Sequence, residues 1–476
     1  MRNQKLSNTR DMSLIKSISG IRGTIGMRAG DNLTPLDIVK FTAAYATFLQ
    51  NSIKSSSAIK VVVGRDARVS GEMVNHIVCG TLMGMGINVM DIGLSTTPTV
   101  EMEVMHSDAK GGIILTASHN PFQWNALKLL NERGEFLSAS EGEQVLQLAQ
   151  AEAFSFAPAD TLGHITFNKN AIQNHINHIL QLPLVDCEAI KACGFKVVID
   201  CVHSTGGLAL PPLLEALGVK HIVRLYTEPT GLFPHNPEPL PEHLTEICRK
   251  VNEEKADVGF VVDPDVDRLA IIQENGEVFG EEYTLVSVAD YVLQHQKGNT
   301  VSNLSSTRAL QIITQKYGGI YSASAVGEVN VVEKMKETQA VIGGEGNGGV
   351  IYPALHYGRD ALVGIALFLS YLAKSKVSCS QLRKSYPDFF ISKNKLQLQP
   401  NMDVDALMEH IKKLYQAQPM IDIDGLRIDF DEAWVHLRKS NTEPILRVYA
   451  ESKSEENARL LARKIMDDMI KFSNNS

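Results

Sequence analysis

Short apolar runs alternate with helical stretches along most of this chain, and this alternation constrains the fold more than any other feature. Buried strands are predicted at 59–63, 87–92 and 113–115, with a helical stretch at 72–84 between the first two. Strands that alternate with helices need crossover connections. The pattern therefore predicts a mainly parallel sheet with helices on both faces.

The alternation of predicted strands and helices begins again at two later points in the chain, and a different pattern follows it. A second set begins near residue 195 and a third near residue 280, whereas helices and paired strands after Pro387 indicate a small α+β domain. A chain of 476 residues is long enough for about three or four domains. The first residues carry charges but no apolar signal-peptide core, so they are predicted to be a disordered lead. The predicted division is a lead at 1–12 and domains at 13–165, 166–277, 278–386 and 387–476.

Composition limits the classes of function. The formal net charge of -8 and the pI near 6.0 argue against nucleic-acid binding, so a phosphorylated ligand would need local basic residues. The longest apolar stretch, 361–373, is too short to span a bilayer and reads as a buried helix. The six cysteines show no paired spacing, which predicts reduced thiols and a cytoplasmic location. We therefore expect a protein with small-molecule partners, and with neither a nucleic acid nor a membrane as a partner.

The hexapeptide 116–121, Thr-Ala-Ser-His-Asn-Pro, follows the buried strand predicted at 113–115. Pro121 disfavours a helical backbone at the residue before it, so Ser118 is expected in a fixed turn. A serine at a strand end beside a histidine, His119, can act as a nucleophile. It can equally be an ordinary turn serine that caps the next element. The hexapeptide alone leaves both interpretations open.

Three aspartates, Asp263, Asp265 and Asp267, alternate directly after a predicted strand. Carboxylates this close repel one another unless a cation neutralises them; the alternative is a solvated acidic turn. A straight strand would space them about 6.6 Å apart, but Pro264 interrupts regular pairing and lets the segment curl. The spacing resembles a calcium loop, yet Arg268 occupies the position that needs glycine. We therefore expect Mg²⁺, with Arg268 suited to an anionic ligand beside it.

A second polar loop lies at 438–444. It combines Arg438 with the short polar side chains of Ser440, Asn441 and Thr442. An arginine fork, hydroxyl groups and turn amides together can hold a phosphate group. As an isolated motif, the loop is equally well explained as a capped turn.

A glycine-rich segment at 343–349 matches neither the dinucleotide-binding fingerprint nor the P-loop, because no lysine and serine follow it. Glycines allow a ligand to approach the backbone closely. The one acid and the one amide of the segment, Glu345 and Asn347, could then hydrogen-bond the hydroxyl groups of a sugar.

Two basic residues near these motifs are ambiguous. Lys128 follows the serine loop and is either a surface lysine or a proton-transfer group close to a nucleophile. Arg22 lies among glycines and has the same two interpretations. The motifs fall where predicted strands of successive α/β units end, which is where open sheets bind their ligands.

Taken in order, the four loops resemble those of the α-D-phosphohexomutase superfamily. Segment 116–121 resembles the phosphoserine loop of that family, 263–268 its metal loop, 344–349 its sugar loop and 438–444 its phosphate loop. The resemblance covers the chain after residue 12. It implies three similar α/β domains with mixed sheets plus a C-terminal small α+β domain, arranged around a central cleft.

The resemblance also implies an activity and a role for each residue. The family interconverts hexose 6-phosphate and hexose 1-phosphate through a phosphoserine and a hexose 1,6-bisphosphate. Its members use Mg²⁺. By resemblance, the metal ligands are Ser118, Asp263, Asp265 and Asp267; the catalytic residues are Ser118, Lys128 as base, His119, Arg22 and Arg268; the sugar contacts are Glu345 and Asn347; and the phosphate contacts are Arg438, Ser440, Asn441 and Thr442.

The substrate expectation rests on the start at 13–23, which resembles members called phosphoglucosamine mutases, so the expected substrate is glucosamine 6-phosphate. The Glu-Gly-Asn-Gly-Gly form at 345–349 is a departure from the common pattern: it resembles an archaeal and Bacteroidetes-like branch, whereas many bacterial members have serine in place of Asn347 and histidine in place of Gly349. The alternatives are a phosphomannomutase/phosphoglucomutase or a non-catalytic sugar-phosphate-binding homologue. The protein is expected to be a monomer or homodimer.

Overall fold

The strands of the chain form four successive sheets in the part that the computed structural model describes. The first three sheets are mixed and the fourth is antiparallel. The mixed sheets agree with the family resemblance and correct the mainly parallel arrangement that the alternation alone predicts. The lead at 1–12 lies outside the described residues. The structure describes residues 13–17, 20–53, 58–399, 403–440 and 445–475.

The first unit contains the predicted serine loop. Its helices and strands are, in chain order, β1 (Ile15–Ser17), β2 (Gly20–Thr24), α1 (Pro35–Ser52), β3 (Lys60–Arg65), α2 (Gly71–Gly84), β4 (Asn88–Leu94), α3 (Thr97–Met105), β5 (Gly111–Leu115), β6 (Trp124–Leu130), α4 (Ala139–Ala151) and β7 (Ile165–Phe167).

The strand order of the first sheet is β1-β2-β6-β5-β3-β4-β7. Strand β6 pairs antiparallel with β5, and the helix–strand alternation did not predict it. Helix α1 begins at Pro35 with Thr34 as its N-cap. Strand β7 pairs with β4, so this sheet extends to Phe167. The predicted domain limits stay predictions.

The second unit holds the aspartate triplet, and its strand order is β11-β10-β8-β9. Its helices and strands are α5 (Ala171–Leu180), α6 (Cys187–Cys193), β8 (Lys196–Asp200), α7 (Gly206–Ala216), β9 (His221–Leu225), α8 (Thr245–Glu254), β10 (Val258–Val262) and β11 (Leu269–Gln273), and short 3-10 turns lie at Ala159–Thr161 and Pro241–His243.

The third unit holds the glycine-rich segment, and its strand order is β13-β12-β14-β15. Its helices and strands are α9 (Glu281–His295), β12 (Asn299–Asn303), α10 (Ala309–Lys316), β13 (Tyr321–Ser324), α11 (Glu328–Thr338), β14 (Ala340–Glu345), β15 (Gly349–Ile351), α12 (Ala361–Ser375) and α13 (Cys379–Lys384).

The fourth unit is the small α+β domain, with strand order β16-β20-β19-β18-β17. Its helices and strands are β16 (Phe390–Gln397), α14 (Val404–Leu414), β17 (Met420–Ile421), β18 (Leu426–Phe430), β19 (Ala433–Lys439), β20 (Ile445–Ser452) and α15 (Glu455–Asn475).

The first three units repeat one local arrangement. In each, a central parallel strand ends in a loop and the chain returns as an antiparallel neighbour: β5 to β6, β10 to β11, and β14 to β15. The serine loop, the aspartate triplet and residues 346–348 are these three connections. The glycine-rich segment is therefore mostly strand, because 343–345 end β14 and Gly349 begins β15. The three units therefore repeat the same strand topology, although the sequence shows no repeat of fixed period.

The apolar core joins the second and third units. Helix α12 is the buried helix predicted at 361–373, and its Phe368 packs against Phe260 and Phe279. The first and fourth units have cores of their own. The fourth unit docks on the third through polar contacts, for example Arg427 Nη1, which donates to the Leu304 carbonyl at 2.6 Å. No described helix is long and apolar enough to cross a membrane.

Candidate active site

Ser118 lies buried at the carboxyl end of β5 and touches the second unit. Its hydroxyl donates to Asp263 Oδ2 at 2.7 Å, and its Oγ lies 3.3 Å from His119 Nδ1. Its backbone has a φ of 49°, which is uncommon for a residue with a side chain, and its amide donates to Thr116 Oγ1 at 2.9 Å. Strained backbone that neighbouring contacts hold in place is concentrated at functional sites. The structure therefore presents this hydroxyl to the aspartate triplet.

Arg68 fixes the serine loop from behind. Its side chain is fully buried, and its Nε pairs with Asp66 Oδ2 at 3.0 Å. Its two terminal nitrogens donate to the carbonyls of Pro121 (2.7 Å), Trp124 (3.0 Å), Asn120 (2.7 Å) and Ser118. All five donors of the guanidinium are thus used. The Pro121 turn predicted from the sequence is held by this one side chain.

The three aspartates converge as expected for a metal site. Their carboxylate oxygens lie within 4.8 Å of one another, and all three side chains are buried. The segment curls because Asp263 Oδ1 accepts the amides of Asp267 and Arg268, each at 3.1 Å, and because Val266 adopts a φ of 64°. Such a φ is an outlier for a β-branched residue. The curl brings together side chains that a straight strand would separate.

The aspartates offer oxygen atoms that fit a hard divalent cation. Oδ1 of Asp265 and Oδ1 of Asp267 are buried and have no hydrogen-bond partner. Burial, followed by repulsion from Asp267 and Asp265, raises the pKa of Asp263 well above its usual value. Mg²⁺ prefers oxygen ligands and would neutralise this repulsion. The residues present therefore fit Mg²⁺.

Lys128 lies on β6 and is the buried counter-ion of two of the aspartates. Its Nζ is 2.7 Å from Asp265 Oδ2 and 3.6 Å from Asp267 Oδ2. Burial lowers its pKa, but attraction to Asp265 and Asp267 outweighs burial and raises it overall. The pKa of Asp265 is lowered: burial acts to raise it, and the charge of Lys128 and its hydrogen bonds outweigh burial.

His119 is a neutral imidazole at the edge of the cleft. Burial, followed by the charges of Arg268 and Arg22, lowers its pKa well below the usual value. Arg22 Nη1 donates to Asn120 Oδ1 at 3.2 Å, which ties β2 to the serine loop. Arg268 reaches Glu238 Oε1 at 3.4 Å and keeps its Nε free of hydrogen bonds. These basic groups supply the local positive charge that an anionic ligand requires.

Arg359 connects the aspartate triplet to the glycine-rich segment. Its Nη2 donates to Asp267 Oδ2 at 2.6 Å, and its Nη1 binds Glu345. Glu345 also accepts from Asn303 Nδ2 at 2.8 Å. Burial raises the pKa of Glu345, but Arg359 outweighs burial and lowers it overall. Asn347 Oδ1 accepts a hydrogen bond from the Gly349 backbone amide at 3.2 Å. The side chain of Asn347 lines the cleft.

Three basic residues face one another across the fourth sheet. Arg438 lies directly opposite Arg447 on β20, and Arg447 lies opposite Lys395 on β16. Arg438 is held by Asp424 at 2.8 Å, whereas Arg447 forms no described salt bridge. Like charges directly opposite each other destabilise a sheet. An anion bound between Arg438 and Arg447 would remove that cost.

The remaining predicted phosphate contacts are only partly described. Ser440 is 8% exposed, and its amide donates to the Ile445 carbonyl at 3.0 Å. Asn441 and Thr442 lie outside the described residues. The structure therefore brings Arg438 into the cleft and places Ser440 at the start of the predicted loop.

A continuous cleft joins these groups. It consists of two adjoining cavities of about 470 and 490 Å³ that share lining residues. This volume suits a small, multiply charged ligand. The predicted site residues that line it are Arg22, Ser118, His119, Lys128, Arg268, Glu345, Asn347 and Arg438.

Sequence reasoning missed three arginines that complete the site: Arg68, Arg359 and Arg447. The tripeptide Gly-Arg-Asp occurs at both 64–66 and 358–360, and this repeat would have drawn attention to Arg359 and to the turn that contains Arg68. The sequence contains no such pattern around Arg447, because its position opposite Arg438 follows only from the cross-strand register.

Replacing Arg68 by lysine tests how the serine loop is held. Lysine has fewer donors and no planar fork, so Arg68→Lys is expected to release several loop carbonyls. Amide exchange in a peptide covering 116–124 should accelerate about tenfold, measured by hydrogen–deuterium exchange. Arg65→Lys is the matched control, because Arg65 donates only to the Asp66 carbonyl at 3.4 Å. Equal exchange in the two variants would contradict this role.

The chain resembles known proteins both in sequence and in fold. The four domain models described as phosphoglucomutase/phosphomannomutase, three alpha/beta/alpha domains and the C-terminal domain, match 15–156, 173–276, 280–389 and 395–468 in order. A crystal structure of a phosphoglucomutase/phosphomannomutase family protein from Burkholderia thailandensis has a TM-score of 0.81 at 24% identity and covers 97% of this chain and 96% of its own. That likeness shows the shared fold.

Two relatives carry more sequence identity. A phosphoglucomutase/phosphomannomutase from Thermococcus kodakarensis is 35% identical over 458 residues, covering 94% of this chain and 99% of its own length. A phosphoglucosamine/phosphogalactosamine mutase from Sulfurisphaera tokodaii is 32% identical over 465 residues, covering 95% and 98%. With four matching domains in order and this identity over almost its whole length, the chain belongs to the phosphoglucomutase/phosphomannomutase family of phosphohexomutases.

Proposed function

We propose that this phosphohexomutase converts glucosamine 6-phosphate to glucosamine 1-phosphate. The observation that carries the mutase mechanism is the 2.7 Å contact between the Ser118 hydroxyl and Asp263, beside a carboxylate triplet and beneath a basic cleft. Family membership supports the reaction class. The glucosamine substrate rests on the start at 13–23 and on relatives such as the archaeal phosphoglucosamine/phosphogalactosamine mutase.

The proposed first step transfers a phosphoryl group from Ser118 to the sugar. The bond between phosphorus and Ser118 Oγ breaks, a bond to the free sugar hydroxyl oxygen forms, and the hydroxyl proton goes to a base. The product is the hexose 1,6-bisphosphate. Ser118 then accepts the other phosphoryl group, which regenerates the phosphoserine and leaves the isomerised monophosphate. Such a transfer depends on positioning and on stabilising charge on the phosphoryl oxygens.

Mg²⁺ would be held by Asp263, Asp265, Asp267 and a phosphoserine oxygen. When bound, it supplies Lewis-acid stabilisation of the transferring phosphoryl group. The chain's own residues do the rest of the work. Arg68 fixes the carbonyls of the serine loop, and Arg359 holds Asp267 in place while it orients Glu345 towards the cleft.

Lys128 is the base by resemblance, and His119 and Arg22 would support it. Lys128 Nζ lies 2.7 Å from Asp265 Oδ2, beside the aspartate triplet. His119 Nδ1 lies 3.3 Å from Ser118 Oγ, so its ring is close to the atom that would carry the phosphoryl group.

The fourth unit would hold whichever phosphate is not reacting. Arg438 and Arg447 are presented by a rigid antiparallel pair of strands, β19 and β20. They bind a phosphate by charge and do not distinguish the C1 end of the sugar from the C6 end. Glu345 and Asn347 would hydrogen-bond the sugar hydroxyls. A clamp that accepts either phosphate is what a reorienting bisphosphate requires.

Ser118→Ala tests the phosphoserine. Without Oγ there is no phosphoryl carrier, so mutase turnover should fall at least about 1,000-fold. Intact mass should show one added phosphate on the wild-type protein after incubation with glucose 1,6-bisphosphate, and none on the variant. A Ser118→Ala protein that still isomerises the substrate would remove the mechanism.

Arg447→Gln tests the clamp. Loss of a charged hydrogen bond to phosphate should raise KM about tenfold or more. Because the clamp holds both ends in turn, KM should rise by a similar factor for hexose 6-phosphate and hexose 1-phosphate, measured in both directions. Arg459→Gln, an exposed arginine on α15, is the matched control. A change confined to one substrate, or none, would refute the shared clamp.

Substrate choice is tested by comparing sugars. The glucosamine proposal expects kcat/KM for glucosamine 6-phosphate to exceed the values for glucose and mannose 6-phosphates by about tenfold or more. The alternative is a phosphoglucomutase/phosphomannomutase, which the name of the relative at 35% identity favours. Equal or greater turnover of glucose or mannose 6-phosphate would select that alternative and leave the mutase mechanism intact.

A further inference from the structure

A second cluster of charged side chains lies buried behind the aspartate triplet. It contains Glu101 of α3, His175 of α5, and His356 and Asp360, which precede α12. None of the four is more than 5% exposed. They come from the first, second and third units, so the cluster lies where those three units meet. Neither the sequence motifs nor the proposed chemistry uses them.

The cluster is a connected chain of contacts centred on Asp360. Its Oδ2 lies 3.0 Å from His175 Nε2 and 3.3 Å from His356 Nε2, and its Oδ1 accepts the Leu362 amide at 2.8 Å at the start of α12. On the other side of its ring, His356 Nδ1 lies 3.3 Å from Glu101 Oε2. The Asp360 carboxylate thus contacts the imidazole rings of His175 and His356 and caps the N-terminus of α12.

Two segments that carry the cluster also hold the metal loop. At the start of α3, the Thr97 amide donates to the Asp265 carbonyl at 2.8 Å and Thr97 Oγ1 donates to Asp265 Oδ2 at 2.6 Å. One turn later on the same helix is Glu101. Next to Asp360, the Ala361 amide donates to the Val266 carbonyl at 3.2 Å.

The metal loop, 263–268, is therefore held by the start of α3 on one side and by the 356–361 segment on the other. The cluster connects these two segments. Asp265 rests on α3, Val266 rests on the segment that begins α12, and Arg359 in that segment holds Asp267. Val266 has the left-handed backbone that gives the loop its curl. A shift of α3 against the 356–361 segment would separate the carboxylates that converge for the cation.

The contacts of the cluster shift the pKa values of its members. Burial lowers the pKa of His356, but the hydrogen bond to Asp360 and the charges of Asp360 and Glu101 outweigh it and raise the pKa to about 10. Burial raises the pKa of Glu101, against the contact with His356. The His356 ring lies between Asp360 and Glu101 and so connects α3 of the first unit to the 356–361 segment of the third.

We propose that Glu101, His356, Asp360 and His175 are positioning residues that align α3 with the 356–361 segment and so set the affinity of the metal loop for its divalent cation. The inference rests on the metal loop of the proposed function, and it assigns none of the four residues a contact with the substrate.

The test measures binding of Mn²⁺, a probe for Mg²⁺, by isothermal titration calorimetry and without turnover. Glu101→Gln keeps the shape of the side chain and replaces its carboxyl group by an amide. Glu103→Gln is the matched control, because Glu103 lies on the same helix and contacts Asn168. The dissociation constant of Mn²⁺ should rise about fivefold in Glu101→Gln and stay within about twofold of wild type in Glu103→Gln, since residues behind a ligand shell tune metal affinity.

A second pair of variants distinguishes a loss of metal affinity from a folding defect. His175→Gln should likewise weaken Mn²⁺ binding, whereas His178→Gln, one turn further along α5, should not. On the wild-type protein, Mn²⁺ should slow amide exchange in a peptide covering 356–363. KM for the sugar phosphate should change less than the Mn²⁺ affinity, because the cluster lies away from the cleft.

Several results would overturn the proposal. Mn²⁺ affinity within twofold of wild type in folded Glu101→Gln and His175→Gln proteins would show that the cluster serves stability alone, even if their melting temperatures fall. Unchanged exchange at 356–363 on adding Mn²⁺ would do the same. A stoichiometric transition metal lost in His175→Gln would make the cluster a metal site. A wild-type protein that binds Mn²⁺ without isomerising sugar phosphates would refute the proposed function and leave this inference standing.

Discussion

The repulsion among Asp263, Asp265 and Asp267 is the constraint on which the rest of the site depends. Three buried carboxylates within 4.8 Å of one another persist only because surrounding groups compensate their charge. Lys128 binds Asp265, Arg359 binds Asp267, and the Ser118 hydroxyl donates to Asp263. These partners come from the first and third units, so neutralising the triplet also assembles the units around the cleft.

The topology explains why the partners converge. In each of the first three units a central parallel strand ends in a loop and returns antiparallel, so three loops of different chemistry face the same cleft. The first supplies Ser118, the second the three carboxylates and the third Glu345. The fourth unit has its own core and docks through polar contacts such as Arg427 to the Leu304 carbonyl. This division places the proposed phosphate clamp on a unit whose core is separate from that shared by the second and third.

Local patterns in the sequence predicted much of the fold and the chemical groups of the site, and the missing parts are those that depend on tertiary contacts. The strand before Ser118 and the N-terminus of α1 were predictable because β-branched runs and the Thr-Pro-Asp cap act locally. Strand β6 was not, because its antiparallel pairing with β5 depends on the loop that joins them. The contact of Lys128 with Asp265 also required the structure, since the two residues lie 137 positions apart in the chain.

The proposed mechanism depends on transfer of the phosphoryl group from Ser118 to the sugar. A single-turnover experiment follows this transfer: protein carrying ³²P-labelled phosphoserine at Ser118 is mixed with unlabelled glucosamine 6-phosphate, quenched, and the products are separated. The label should appear in the sugar bisphosphate and then in glucosamine 1-phosphate. Release of the label as inorganic phosphate, or its retention on the protein while product forms, would contradict it.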